Sequence, residues 1–131
     1  THRYGYVLIR TKANSVAGTL TFAAPAVTNG VTDTTPFLGA ALQYRAVAIT
    51  GAACSASSFT GSPTWIVGGT SSYASLATAG STGVALAAAT ATLPGAASGY
   101  CFDVYLPSGA DTALQGKSAT VTWTVTATSV P

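Results

Sequence analysis

Charged residues are scarce in this chain. Its 131 residues include five Lys and Arg, three Asp and no Glu, and the formal net charge is +2. These few, scattered positive charges do not form a basic surface that could bind nucleic acid. No window approaches the roughly eighteen continuous apolar residues that a membrane span needs. We therefore expect neither a nucleic-acid partner nor a membrane span.

Side chains for catalysis are equally few. The single His is His2, and the carboxylates are limited to Asp33, Asp103 and Asp111. They form no general acid–base pair, no Gly-x-Ser-x-Gly elbow is present, and no zinc motif occurs. We expect no enzyme, no catalytic residue, no cofactor and no metal. The pattern supports a calcium site at Asp33 or Asp111 less well than the alternative, in which each carboxylate caps its own turn.

Methionine is absent, and cysteine occurs twice, as Cys54 and Cys101. The missing Met leads us to expect a cleaved signal peptide, or else a start point chosen for expression. Two distant cysteines that match no metal-ligand pattern predict one disulfide, and with it an extracellular, cell-surface location. A disulfide that closes a loop of this length should stabilise the folded state by roughly 4 kcal/mol. Two buried free thiols are the alternative.

Strict alternation of apolar residues with threonine is what the sequence does have. One face of the stretch 119–128 is apolar (Ala119, Val121, Trp123, Val125 and Ala127), and every residue between them is Thr. This period-two pattern predicts a half-buried strand. The Thr face is a candidate for O-linked sugar. In the stretch 100–106 the pattern places Cys101, Asp103 and Tyr105 on one face, which directs the disulfide toward a flanking loop.

Further strands are predicted at 18–24, 44–50, 64–69 and 84–93, separated by connectors rich in Gly, Ser, Thr and Pro. About seven or eight short strands without helical periodicity predict an all-β fold, an antiparallel jelly-roll or immunoglobulin-like β-sandwich. Residues 1–10 are expected to form an N-terminal strand, and residues 11–131 a single β-sandwich domain.

The N-terminal strand has two interpretations. It contains an apolar run at a chain end, where polar and frayed residues are usual: Tyr4, Gly5, Tyr6, Val7, Leu8 and Ile9. The run can pair within its own chain as an ordinary first strand. It can also act as a donor strand that completes the sheet of the next subunit in a homopolymer. The pattern alone favours neither interpretation.

Two segments resemble the TasA/camelysin family of exported fibre-forming proteins, which includes related archaeal bundling pili. Residues 99–129 contain a strand, an "LP…A" loop, "LQG" and a Thr-rich terminal strand, and residues 17–22 read "AGTLTF". The resemblance implies a jelly-roll subunit that polymerises through its N-terminal strand into a pilus or biofilm-matrix fibre. The family commonly has acidic residues near the mature N-terminus, where this chain has His2, Arg3 and Arg10.

We therefore predict a structural filament subunit whose partners are copies of itself. A subunit of chaperone–usher or spore-coat-U type is one alternative, because it would share the disulfide and the donor strand. A carbohydrate-binding or adhesin module that uses exposed Tyr residues is another.

Overall fold

The computed structural model describes residues 1–130, and these residues are mainly β-structure with one short helix, α1 (Leu38–Ala41), and two 3₁₀ turns. Ten strands are present where seven or eight were expected. They are β1 (His2–Ile9), β2 (Gly18–Phe22), β3 (Ala26–Asn29), β4 (Gln43–Ile49), β5 (Trp65–Val67), β6 (Ala74–Ser75), β7 (Val84–Leu86), β8 (Ser98–Tyr105), β9 (Ala119–Thr122) and β10 (Val125–Ser129).

The strands form three antiparallel sheets. The largest has the order β1-β8-β4-β5, with β6 also paired to β4; β10-β2-β7 and β3-β9 form the other two. Strand β8 therefore lies between β1 and β4, and its side chains are buried on both faces along most of its length. The all-β expectation is confirmed, and the sheets are open rather than closed into a barrel.

The main core lies between the five-stranded sheet and β2. Phe22 of β2 packs edge-on against Tyr100 and Phe102 of β8, with ring centroids 4.8 Å and 5.4 Å apart. Trp123 stacks on Phe102 at 4.4 Å, as expected for a residue on the apolar face. Such aromatic pairs add to the free energy of burial. The core therefore uses the alternation that the sequence shows in β8 and near the C-terminus.

The predicted strand 119–128 is interrupted at Trp123 and Thr124, so that β9 and β10 pair with different strands. Two residues separate β9 from β10, whereas three separate β2 from β3, and the register shifts by one between the two ladders. Pro25 lies in the longer connection and has no N–H for a ladder hydrogen bond. The two ladders are thus offset by one residue at this break.

The predicted strand 84–93 ends early. Only Val84–Leu86 pairs with β2, and the Ala- and Thr-rich residues that follow have no strand assignment. Strands β3 and β6 were not expected from the sequence, because each is short and lies beside a connector.

Two buried tyrosines of the core give the fold a predicted alkaline limit. Burial raises the pKa of Tyr44 and of Tyr100. Unfolded tyrosines ionise near pH 10, whereas these two stay protonated longer in the folded state. The unfolded state therefore binds fewer protons, and stability should fall as pH rises above about 10.

Urea unfolding on both sides of pH 10, with tyrosinate absorbance as a second signal, measures this effect. Tyr100→Phe is the matched variant, because the Tyr100 hydroxyl is buried without a hydrogen-bond partner. This variant should lose part of the decrease in stability above about pH 10. An unchanged dependence in both Tyr100→Phe and Tyr44→Phe would show that other groups cause it.

Candidate functional site around strand β1

Strand β1 is an edge strand of the five-stranded sheet. It pairs antiparallel with β8 of its own chain over all eight residues, in a register that runs from His2 opposite Tyr105 to Ile9 opposite Ser98. Among the described residues it has no second strand neighbour. The structure thus shows the intrachain pairing that the sequence left open. The donor role of Tyr4, Gly5, Tyr6, Val7, Leu8 and Ile9 stays a prediction.

The backbone groups of β1 alternate between β8 and the open edge. Leu106 N donates to Thr1 O over 3.1 Å, which makes Thr1 and Leu106 a hydrogen-bonded pair. In an antiparallel ladder every second pair is of this kind. Odd-numbered residues of β1 therefore bond to β8. The N–H and C=O groups of His2, Tyr4, Tyr6 and Leu8 point to the open edge.

Gly99 of β8 lies directly against the backbone of β1. A Cβ atom at Gly99 would collide with the carbonyl oxygen of Val7. This close contact agrees with the alternation of backbone groups along β1, because the Val7 carbonyl can reach Gly99 only if it points toward β8. A glycine at position 99 therefore permits the docking of the C-terminal half of β1.

One face of β1 borders an open apolar groove of about 670 Å³. Its opposite wall comes from the β9–β10 segment. The lining residues are Arg3, Tyr4, Gly5, Tyr6, Val7, Ile9, Phe102, Val104, Ala119, Val121, Trp123 and Val125. At Gly5 a Cβ atom would meet no other atom within 4 Å. The space beside the middle of β1 is therefore unfilled.

The other face of β1 covers a buried carboxylate. Asp103 is 0% exposed, and its two oxygens bind different strands. Oδ1 lies 2.8 Å from His2 Nδ1 of β1, and Oδ2 accepts a hydrogen bond of 2.9 Å from Arg45 Nε of β4. A buried charge of this kind is tolerated when it is paired and hydrogen-bonded. Asp103 therefore joins β1, β8 and β4 in one polar cluster.

Aromatic rings enclose this cluster. The Arg45 guanidinium lies 4.7 Å from the ring centres of Phe59 and Tyr73, within cation–π range. The His2 ring stacks on Tyr105 at 4.7 Å. Burial, followed by the charge of Asp103, raises the pKa of Tyr73, whose hydroxyl lies 3.5 Å from Asp103 Oδ2. The ring shell limits the access of water to the ion pair.

The predicted disulfide between Cys54 and Cys101 is present, with Cα atoms 5.4 Å apart. Cys101 is buried with Val47 and Phe59 on the outer face of the sheet, separate from the main core. The bond therefore attaches a flanking loop, as the alternation in β8 predicted. Cys54 Sγ also lies 3.3 Å from the carbonyl oxygen of Gly5, so the loop reaches β1.

Asp33 and Asp111 both bind backbone N–H groups. Asp111 Oδ1 accepts a 2.8 Å hydrogen bond from Ala113 N, which is the turn capping that the sequence suggested. Asp33 Oδ2 accepts from Ser118 N over 3.1 Å. No group of three or more His, Cys, Asp or Glu residues is placed to hold a metal ion within residues 1–130.

The contact that fixes His2, 2.8 Å from its Nδ1 to Asp103 Oδ1, was not predicted from the sequence. The sequence predicted that Cys101, Asp103 and Tyr105 share one face of β8. It did not predict which residues of the neighbouring strands they would contact. Arg45 and Tyr4 lie directly opposite Asp103 on the two neighbouring strands. Only the strand order brings these residues together. A lone Asp inside an apolar strand is the sequence signal that indicates a buried partner.

In comparisons with known proteins, no family model, no curated protein and no solved structure matched this chain. In the part of the chain that the structure describes, no helix has the length and apolar character to cross a membrane. The disulfide is compatible with a secreted protein.

Proposed function

We propose that the protein is the structural subunit of an extracellular filament, a pilus or biofilm-matrix fibre, that polymerises by donor-strand complementation. In each contact, β1 of one subunit replaces β1 of the next along β8. The observation that carries the proposal is the position of β1: it is the first strand of the sequence and a mostly exposed edge strand, with one strand neighbour among residues 1–130.

Exchange of β1 would preserve its contacts. The incoming strand has the same sequence, so Gly5 would again face Phe102 and Val7 would again face Tyr100. Domain swapping is a low-cost route to association for this reason. Residues 10–17 connect β1 to β2, and eight extended residues reach roughly 26–29 Å. This length supports transfer of β1 to an adjacent subunit.

Head-to-tail exchange produces a linear polymer when the rotation between successive subunits does not close a ring. The finer architecture belongs to the same proposal: a jelly-roll or immunoglobulin-like sandwich, residues 11–131, with residues 1–10 as the donor. A core shared by β2, β4 and β8 supports two packed layers. The resemblance of residues 17–22 and 99–129 to TasA/camelysin-like fibre proteins supports the filament.

Crosslinking of variants that each carry one added cysteine, besides the Cys54–Cys101 disulfide, tests strand exchange in the full chain. Arg3 and Val104 are register partners between β1 and β8, and a hydrogen-bonded antiparallel pair has Cα atoms about 5.5 Å apart, within disulfide range. One preparation carries Arg3→Cys and another carries Val104→Cys. When they are mixed and assembled, a disulfide between the two positions requires that β1 come from another subunit.

The expected result is filaments in electron micrographs together with disulfide-linked dimers in the mixture. The chain with both substitutions is the control for register, since it can close the bond within one molecule. Filaments without crosslinks in the mixture would contradict strand exchange. Failure of the purified protein to form filaments would contradict the filament function itself.

A further inference from the structure

We propose that the open edge of β1 pairs with the β1 edge of a second copy, antiparallel and centred on Gly5. The two five-stranded sheets would then become one continuous sheet. This pairing does not depend on strand exchange. The edge formed by His2, Tyr4, Tyr6 and Leu8 stays open whether β1 lies on its own β8 or on that of a neighbour.

The β1 edge has few of the features that keep sheet edges solitary, and Arg3 at the groove is the one Lys or Arg within the strand. It is eight residues long, contains no Pro and pairs with β8 in an unbroken register. Proteins usually protect edges with short strands, bulges, Pro or inward-pointing charges. The opposite edge of the same sheet shows such protection, because β5 has three residues and a register shift against β4. One edge of this sheet is therefore competent to pair.

The sequence of β1 is complementary to itself in one register. A two-fold axis at Gly5 places His2 opposite Leu8 of the second copy and Tyr4 opposite its Tyr6. All four residues with outward N–H and C=O groups are then paired on each strand, which gives about eight backbone hydrogen bonds. Registers shifted by two residues pair only three of the four. The Gly5-centred register is therefore the favoured one.

The side chains also suit a second copy. Arg3 would face Val7 of the partner rather than another cation, and like charges directly opposite each other are destabilising. Tyr4 and Tyr6, which are 37% and 53% exposed, would contact each other across the axis. The two Gly5 residues would meet at the closest point, where each chain has open space. A two-fold pairing of identical strands is isologous and closes as a dimer.

Proline substitution separates edge pairing from docking on β8. The Tyr6 N–H points to the open edge, so Tyr6→Pro removes edge donors while β1 stays on β8. The Val7 N–H points to β8, so Val7→Pro disturbs docking instead. Before filaments assemble, sedimentation of the wild type should show a dimer. Tyr6→Pro should weaken it by about thirtyfold or more, because two hydrogen bonds are lost by symmetry.

Tyr6→Ala is the matched control, because it removes the same ring and keeps the N–H; it should remain dimeric to a greater extent than Tyr6→Pro. Tyr6→Pro should keep the wild-type melting temperature, whereas Val7→Pro should lower it. This result would show that β1 remains docked on β8 in Tyr6→Pro. Equal dimerisation of Tyr6→Pro and Tyr6→Ala would overturn the proposal, as would a wild type that stays monomeric at every concentration.

A symmetric crosslink tests the register. In the proposed dimer the two Gly5 residues form a non-hydrogen-bonded pair with Cα atoms about 4.5 Å apart, so Gly5→Cys should give a disulfide-linked dimer. Gly109→Cys is the control, since a Cβ atom there also meets nothing within 4 Å. Gly5→Cys should crosslink at least about tenfold faster. Equal rates would overturn the Gly5-centred register. Both tests remain decisive if the protein forms no filament.

Discussion

Replacing Asp103 with alanine is expected to lower the free energy of unfolding by about 3–5 kcal/mol. The side chain is fully buried and holds Arg45, itself nearly buried, through a 2.9 Å hydrogen bond. Removal of the carboxylate leaves the guanidinium charge uncompensated between Phe59 and Tyr73. It also removes the hydrogen-bond partner of His2 at the start of β1.

Three further variants define the cause. Asp103→Asn keeps the volume without the charge, and it should lose most of the same free energy. Asp111→Ala removes an exposed carboxylate with one backbone hydrogen bond, so it should cost about 1 kcal/mol or less. Arg45→Met combined with Asp103→Leu removes both charges, and it should be more stable than Asp103→Ala alone. Urea unfolding measures all of them.

The ion-pair account would be wrong if Asp103→Ala cost no more than Asp111→Ala. It would also be wrong if the double replacement were the least stable variant. In that case the shape of the site, rather than the charge of Asp103, would determine its stability.

The local pattern predicted every strand of the largest sheet except β6. Apolar residues alternate in β8, and period two therefore placed Tyr100 and Phe102 on one face and Cys101 and Asp103 on the other. The disulfide followed from the number of cysteines and their separation. These features depend on residues that are near each other in the chain, or on covalent chemistry that is specific to cysteine.

The features that the pattern did not predict depend on strand order and register. Arg45 and Asp103 meet because β4 and β8 pair with those two residues opposite each other. The break at Trp123 lies opposite the β2–β3 connection that contains Pro25, and nothing near Trp123 in the sequence indicates it. Residues 87–93 have strand-like composition, but strand pairing in that part of the chain ends with Leu86. Long-range pairing overrides local preference in each case.

Removal of the disulfide is expected to cost about 4 kcal/mol. Cys54 and Cys101 are 47 residues apart in sequence, and the bond restricts the unfolded chain by the corresponding loop-closure entropy. In the folded state it attaches the loop around Phe59 to the outer face of β8, beside Gly5 of β1. Cys54→Ala should therefore lower the urea midpoint strongly and increase hydrogen exchange in this loop.

The single and double cysteine variants separate loss of the bond from loss of packing. Cys54 is partly exposed, whereas Cys101 is fully buried beside Val47. Cys54→Ala should remove the bond with little loss of packing. Adding Cys101→Ala should then cost only the small packing change at that site, because both substitutions break the same bond. When the disulfide of the wild type is reduced in the unfolded state, the measured free energy of unfolding should equal that of Cys54→Ala. If the two cysteine substitutions instead contributed equal and additive losses, packing rather than chain entropy would be the source of the stability.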